Sequence, residues 1–399
     1  MTISRKSNGK GALEGVKVID MTRFGAGPIC TQNLGDMGAE VVKVEEPNGD
    51  PARYNAPLKG DVGGYFPAFN RNKRSVTLNL RAEKGKDLFR KLVKWADIVV
   101  ENFRPGTMEK LGIGYDDLRK VNPRIILVSI TGFGQTGPLS SRAAFDGVAQ
   151  AVGGLMALTG FPDREPVRAG VLVGDMTGGM IGTIGALEAL YHQKATGEGQ
   201  RVDASMYDAL LVLLSARMLT HVRGARVSRG DYSPVAPCGT FLSKDGKYFY
   251  IMGHDNNHFP HVARLAGHPD LVDKPGYKTR AERAKRTKEL NDMLGAWVAS
   301  KTAAEVSADL EKSGVPFGLV QDVDDVLRDP HVRATGTIVE VDHEGERLPL
   351  VGLVPKLSVT PGSIRSIAPH LGQHNEAVYC GTLGLSKSEL AELKQAKVV

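Results

Sequence analysis

Cysteine is scarce in this 399-residue chain: Cys30, Cys238 and Cys380 stand far apart. Three such residues cannot build a disulfide framework, and their scarcity fits a reducing compartment. No apolar run approaches the ~20 residues that would span a bilayer. The opening stretch MTISRKSNGKGALEG is polar and lacks the apolar core of a secretory leader, so a cytoplasmic location is expected, with no membrane partner. Zinc-type spacings are missing too. His254, His258 and His261 have no cysteine or further histidine cluster beside them and no H-E-x-x-H occurs, so no metal is expected. The basic run Lys278–Lys288 has only Tyr277 at its edge, which argues against nucleic acid.

What is present is the composition of an ordinary globular protein, 41% hydrophobic and 24% charged. Forty-seven glycines point to many strand–helix junctions, and a net charge of +6 permits an anionic ligand without naming one. Strands are expected at Val16–Asp20, Glu40–Glu45, within Asn70–Leu80, and at Asp97–Val100, Arg124–Ile130 and Gln200–Ala204. Helices are expected between them at Ile29–Met37, Glu83–Trp95 and Met206–Leu219. This alternation predicts an α/β fold with a mostly parallel, Rossmann-like sheet. Arg223–Pro237 reads as a linker, and a hairpin over Gly239–Met252 turns at Asp245-Gly246. Helices at His258–Leu265, Arg280–Ser300 and Ala303–Ser313 with a strand at Val315–Val320 make a smaller α+β domain. The expected division is 1–222, a linker 223–237, a small domain 238–333, and a return through 334–399 to the large domain, with strands in Gly336–Leu357 and a helix at Lys387–Lys397.

The stretch AGVLVGDMTGGMIGTIGALEALYH, Ala169–His192, stands out. Val171-Leu172-Val173 reads as a short strand, and a long helix follows Gly174-Asp175. Gly178, Gly182 and Gly185 share one helix face, although each glycine costs about 1 kcal/mol against alanine. A backbone packed very close is the simplest compensation. Asp175 at the helix start is either a plain N-cap or a carboxylate kept charged by the helix dipole for use.

Arg81 and Arg104 each follow a predicted strand end, the edge where open α/β sheets bind ligands. The first βαβ unit carries Gly25 and Gly27, with Glu45 about 20 positions on, as a dinucleotide fold would require. Cys30 stands where the third glycine belongs, so an oxidoreductase reading rests on an incomplete fingerprint.

LEGVKVIDMTRFGAGP, LGDMGAEVVKVEEP, NRNKRSVTLNL, ADIVVENFRPGTMEKLGI, VSITGFGQTGP, GDMTGG, KATGEGQRVDASMYDALL and VPFGLVQDVDDVLRDPHV occur in that order over nearly the whole chain. Together they resemble the class III CoA-transferase family, which includes formyl-CoA and carnitine CoA-transferases. The resemblance implies that Asp175 is the nucleophile. It places coenzyme A contacts on Phe24, Gly25, Leu78, Asn79, Arg81, Asn102, Phe103, Arg104, Lys110, Ala144, Phe145 and Asp146. It implies an interlaced-ring homodimer, acyl-CoA and a carboxylic acid as substrates, and no permanently bound cofactor. Gly25 and Glu46 depart from the formyl-CoA transferase pattern, which has glutamine and a nucleotide-gripping arginine there.

A carboxylate is ionised at neutral pH and attacks a thioester without a base, which suits a chain lacking a Ser-His-Asp pattern. Donors to the oxyanion are expected from Gly253 and the loop His254–Asn257. Succinyl-CoA is the first donor to test. The alternative within the fold is an α-methylacyl-CoA racemase, but Phe145 occupies the position of that enzyme's histidine base. A CoA-binding protein without catalysis is a further reading.

Overall fold

The computed structural model describes residues 11–399 except 57, 60, 61, 226, 231–234 and 344. The start of the polar N-terminal stretch and part of the expected linker therefore lie outside the described residues. The chain forms two compact units, residues 1–229 with 333–399, and residues 230–332.

The large unit is built on six parallel strands: β1 (Lys17–Asp20), β2 (Glu40–Glu45), β3 (Lys73–Thr77), β4 (Ile98–Glu101), β5 (Ile126–Thr131) and β6 (Arg201–Ser205). Their order is β3-β2-β1-β4-β5-β6. Alternate residues of each strand bury opposite faces, which is why β4 and β5 are buried along their whole length and mostly apolar. Ile19, Val42, Val76 and Val99 meet the helix α2 (Glu83–Trp95) through Leu88, Phe89 and Leu92. Val18, Val41, Val100 and Val128 face α1 (Ala26–Asp36), α4 (Val173–Thr196) and α5 (Met206–Val222) on the other side. A shorter helix, α3 (Asp146–Val152), precedes α4.

Val171–Val173 is not a strand. Val173 already begins α4, because that helix starts on a carboxylate supplied from α3 rather than on a local signal. The glycine face of α4 is close-packed, though mostly by side chains: Met206 meets Gly178, Ile130 meets Gly182 and Val202 meets Gly185. The backbone approach falls at Gly179, where a Cβ would lie 2.0 Å from Ile29 Cγ2 and 2.4 Å from the Ala26 carbonyl oxygen.

The outer edge of β3 is covered by the returning chain. Ser75 N–H donates to His374 Nδ1 (3.2 Å), Thr77 N–H to Asn375 Oδ1 (2.9 Å), and the Tyr379 hydroxyl to Thr77 O (2.7 Å). An edge strand left bare would be a template for pairing with another chain.

The small unit packs an antiparallel sheet, β7 (Cys238–Leu242), β8 (Tyr248–Met252) and β9 (Phe317–Leu319), on Leu294, Trp297 and Leu310. The helix expected at Arg280–Ser300 is two, Arg280–Ala284 and Thr287–Ala299. At the break Arg283 and Arg286 turn to donate to Tyr277 O (2.8 Å) and Gly276 O (3.1 Å). Arg283 also braces the Gly253–Asn257 loop through His254 O and Asn256 Oδ1.

Candidate active site

The sheet reverses direction of build between β1 and β4, and ligands of open α/β sheets sit outside that crevice. The loops leaving the two strands are stitched together. Asn102 Oδ1 accepts from Arg23 N–H at 2.8 Å and its Nδ2 donates to Arg23 O at 2.7 Å. Glu101 holds the second loop from below, accepting from Phe103 N–H at 2.7 Å, and burial pushes its carboxyl up to about 7. Under the first loop, buried Lys43 donates to Thr22 O (2.7 Å) and pairs with Asp50 (3.2 Å). Asp50 in turn accepts from Phe24 N–H (3.3 Å). These ties hold Phe24 in the left-handed region, φ 64°, which a non-glycine residue adopts at a cost of roughly 1–2 kcal/mol. Its ring meets Phe145 edge-on, centroids 5.7 Å apart, and Phe145 is 64% exposed.

Gly25 follows with an ordinary φ of −111°, so space rather than conformation requires glycine. A Cβ there would lie 2.4 Å from Asp175 Oδ2 and 2.8 Å from the Tyr65 hydroxyl. Asp175 sits half-buried in the first turn of α4. It is not the cap of that helix. Asp146, buried on α3, accepts from Gly174 N–H (2.7 Å) and Asp175 N–H (3.3 Å), and its second oxygen accepts from Gln150 (2.7 Å). The expectation of a dipole-stabilised charge on Asp175 is corrected accordingly. Burial and the neighbouring Asp146 push its carboxyl up to about 7. No described residue donates a hydrogen bond to it.

Two cavities share this region. The larger, about 610 Å³, is lined by Leu78, Asn79, Arg81, Phe103, Lys110 and the turn Glu46–Asp50. The smaller, about 200 Å³, holds Asp175 among Phe24, Gly25, Asn102, Arg104, Ala144 and Phe145. Arg23 and Phe103 line both. All predicted site residues but one therefore reach a cavity. The exception is Asp146, a buried residue whose carboxylate oxygens accept from Gly174, Asp175 and Gln150. Arg81 and Arg104, paired in the sequence reading, fall in different cavities.

Glu45 is not free for a ribose. It accepts from Arg53 (2.8 and 2.7 Å), Ser75 Oγ (2.6 Å) and Asp50 N–H (3.0 Å). The oxidoreductase reading loses its carboxylate.

The model of "CoA-transferase family III" matches residues 13–375. The chain belongs to that family. This family III CoA-transferase is 37% identical to the succinyl-CoA–D-citramalate CoA-transferase of Chloroflexus aurantiacus, over 97% of its own length and 98% of the relative's. It is 35% identical to human succinyl-CoA:glutarate CoA-transferase, over 97% and 90%. A CaiB/BaiF family protein from Brucella suis has the same fold, with a TM-score of 0.83 and 35% identity over 94% of this chain and 100% of that one. The racemase and binding-only readings give way to transferase.

Sequence reasoning missed Tyr65, Arg142 and Met206 around the Asp175 cavity, and left Arg23 without a role. Tyr65 comes from the short helix Tyr65–Phe69, and no local pattern marks it. Arg23 lies inside the TRFGAGP segment, where two-sided binding of its backbone by Asn102 becomes visible only in three dimensions.

Proposed function

We propose that Asp175 carries coenzyme A from an acyl-CoA, succinyl-CoA first among donors, to a free dicarboxylic acid. The observation that carries this is a carboxylate with no hydrogen-bond donor among the described residues, facing a cavity where Gly25 leaves the approach clear. The relatives' names give the substrate classes. An Asp175 oxygen attacks the thioester carbonyl, the C–S bond breaks, and CoA thiolate leaves a mixed anhydride. The thiolate attacks the aspartyl carbonyl, releasing the donor acid and leaving an aspartyl-CoA thioester. The acceptor carboxylate attacks that thioester, and thiolate returns to the acceptor's carbonyl, freeing Asp175 and the new acyl-CoA. No proton or electron is gained or lost overall. Leu78, Asn79, Arg81 and Lys110 would face the nucleotide, with Phe24, Asn102, Phe103, Arg104 and Phe145 along the arm toward Asp175.

The working form would be an interlaced homodimer. Its support is an apolar face on α4, Met180, Ile184, Leu187 and Tyr191, continued by Val212, Leu219 and Val222 on α5, all exposed in the single chain. Such a face on a monomer marks an interface.

The deciding experiment is Asp175→Ala. Because Asp146 caps α4, the variant should keep its stability, still bind acyl-CoA, and lose several orders of magnitude in turnover. Wild type given acyl-CoA alone should form an adduct that hydroxylamine converts to a hydroxamate on the Asp175 peptide. A folded variant with near-normal transfer would remove Asp175 from the chemistry.

A further inference from the structure

We infer that Arg23 binds the diphosphate of the CoA donor at the junction of the two cavities. The inference rests on the proposed CoA site and adds to it a residue with no assigned role. Arg23 and Phe103 are common to both cavities, so a ligand reaching from the nucleotide side to Asp175 passes between them. Coenzyme A has a 3′-phosphoadenosine at one end and the thioester at the other, and its diphosphate lies between. With the thioester at Asp175 and the adenosine near Arg81 and Lys110, the diphosphate falls at the junction.

Arg23 is built for that position. Both polar groups of its backbone are bound by Asn102, at 2.8 and 2.7 Å, which fixes where the side chain starts. Its guanidinium rests over the Phe103 ring, 5.1 Å from the centroid, which orients it while leaving its N–H edges unused by that contact. Three buried acids of this region already have cations of their own: Asp20 with Lys73, Asp50 with Lys43, Glu45 with Arg53. Among the described residues no acid forms an ion pair with Arg23. A planar, always-charged fork suits two adjacent phosphates better than a lysine does.

The test is calorimetric titration of wild type, Arg23→Met and Arg23→Lys with CoA and with 3′-dephospho-CoA, at several salt concentrations. Arg23→Met should weaken both ligands by the same factor, about 10- to 100-fold. It should also flatten the salt dependence of CoA affinity, and Arg23→Lys should recover part of the loss. A loss seen with CoA but not with dephospho-CoA would move Arg23 to the 3′-phosphate and overturn the diphosphate assignment. A loss with unchanged salt dependence and no recovery by lysine would make the residue merely structural, and no loss would end the proposal. Binding requires neither the acid substrate nor Asp175, so an error in either leaves this result intact. A wild type that fails to bind CoA would instead count against the wider reading.

Discussion

Asp146 accepts the N–H groups of Gly174 and Asp175 through one oxygen, so the Asp175 carboxylate stands above a buried like charge instead of above free helix amides. Only ionised Asp175 can attack, and its carboxyl is pushed up to about 7, so kcat/KM for the donor should fall about tenfold per pH unit below that value. Asp146→Asn keeps an oxygen for Gly174 N–H and removes the charge. It should move the midpoint to lower pH. A profile flat from about pH 5.5 to 8 would contradict the titration of Asp175 in the free enzyme.

Gly25→Ala tests the approach to the carboxylate. The added methyl would lie 2.4 Å from Asp175 Oδ2, forcing that group aside. A misplacement of about 1 Å costs on the order of 100-fold in rate, while backbone conformation at Gly25 accepts alanine. Turnover should drop by at least about 100-fold with Tm near the wild-type value. A Gly25→Ala enzyme of wild-type rate would mean that Asp175 is reached from elsewhere.

Gly179→Ala and Gly185→Ala separate backbone from side-chain crowding. At Gly179 the obstacle includes the Ala26 carbonyl, which cannot rotate away, whereas at Gly185 it is a Val202 methyl. Overpacking of this kind costs about 1–3 kcal/mol, and the first variant should lose more in chemical denaturation than the second. Equal losses would show that α1 and α4 slide apart freely.

The α4 face predicts the solution state. Tyr191 is 82% exposed in the single chain, and Ile184→Asp with Tyr191→Asp should convert a dimer to monomer or aggregate in sedimentation experiments. Wild-type subunits carrying different tags should not exchange within minutes if the rings are linked. Rapid exchange would argue for a simple face-to-face pair.

Much of the large unit was legible because its signals are local. Glu40–Glu45 and Glu83–Trp95 match their predicted bounds, one as a valine-rich strand and the other as an amphipathic helix. The family was legible through several matching segments at once, since no single one is distinctive, and the candidate site residues follow from it. What escaped depends on distant partners. Val171–Val173 has the composition of a strand, but α4 is started by Asp146 from 28 positions upstream. Glu45 has the right spacing for a ribose contact until Arg53 folds over it. Tyr65 and Asp175 close on Gly25 only after three separate segments converge.

The cover over the edge of β3 has a consequence for how the molecule is made. Ser75 and His374 are 299 positions apart, and the whole small unit is inserted between them. Contacts of such separation form late, because a long loop must close before they are rewarded. Until they do, β3 offers bare N–H and C=O groups beside the larger cavity. A newly made or partly unfolded chain is then most exposed to aggregation at this strand. Weakening the Asn375 and Tyr379 ties should thus show first as lost yield on refolding, with the enzyme that does fold still active.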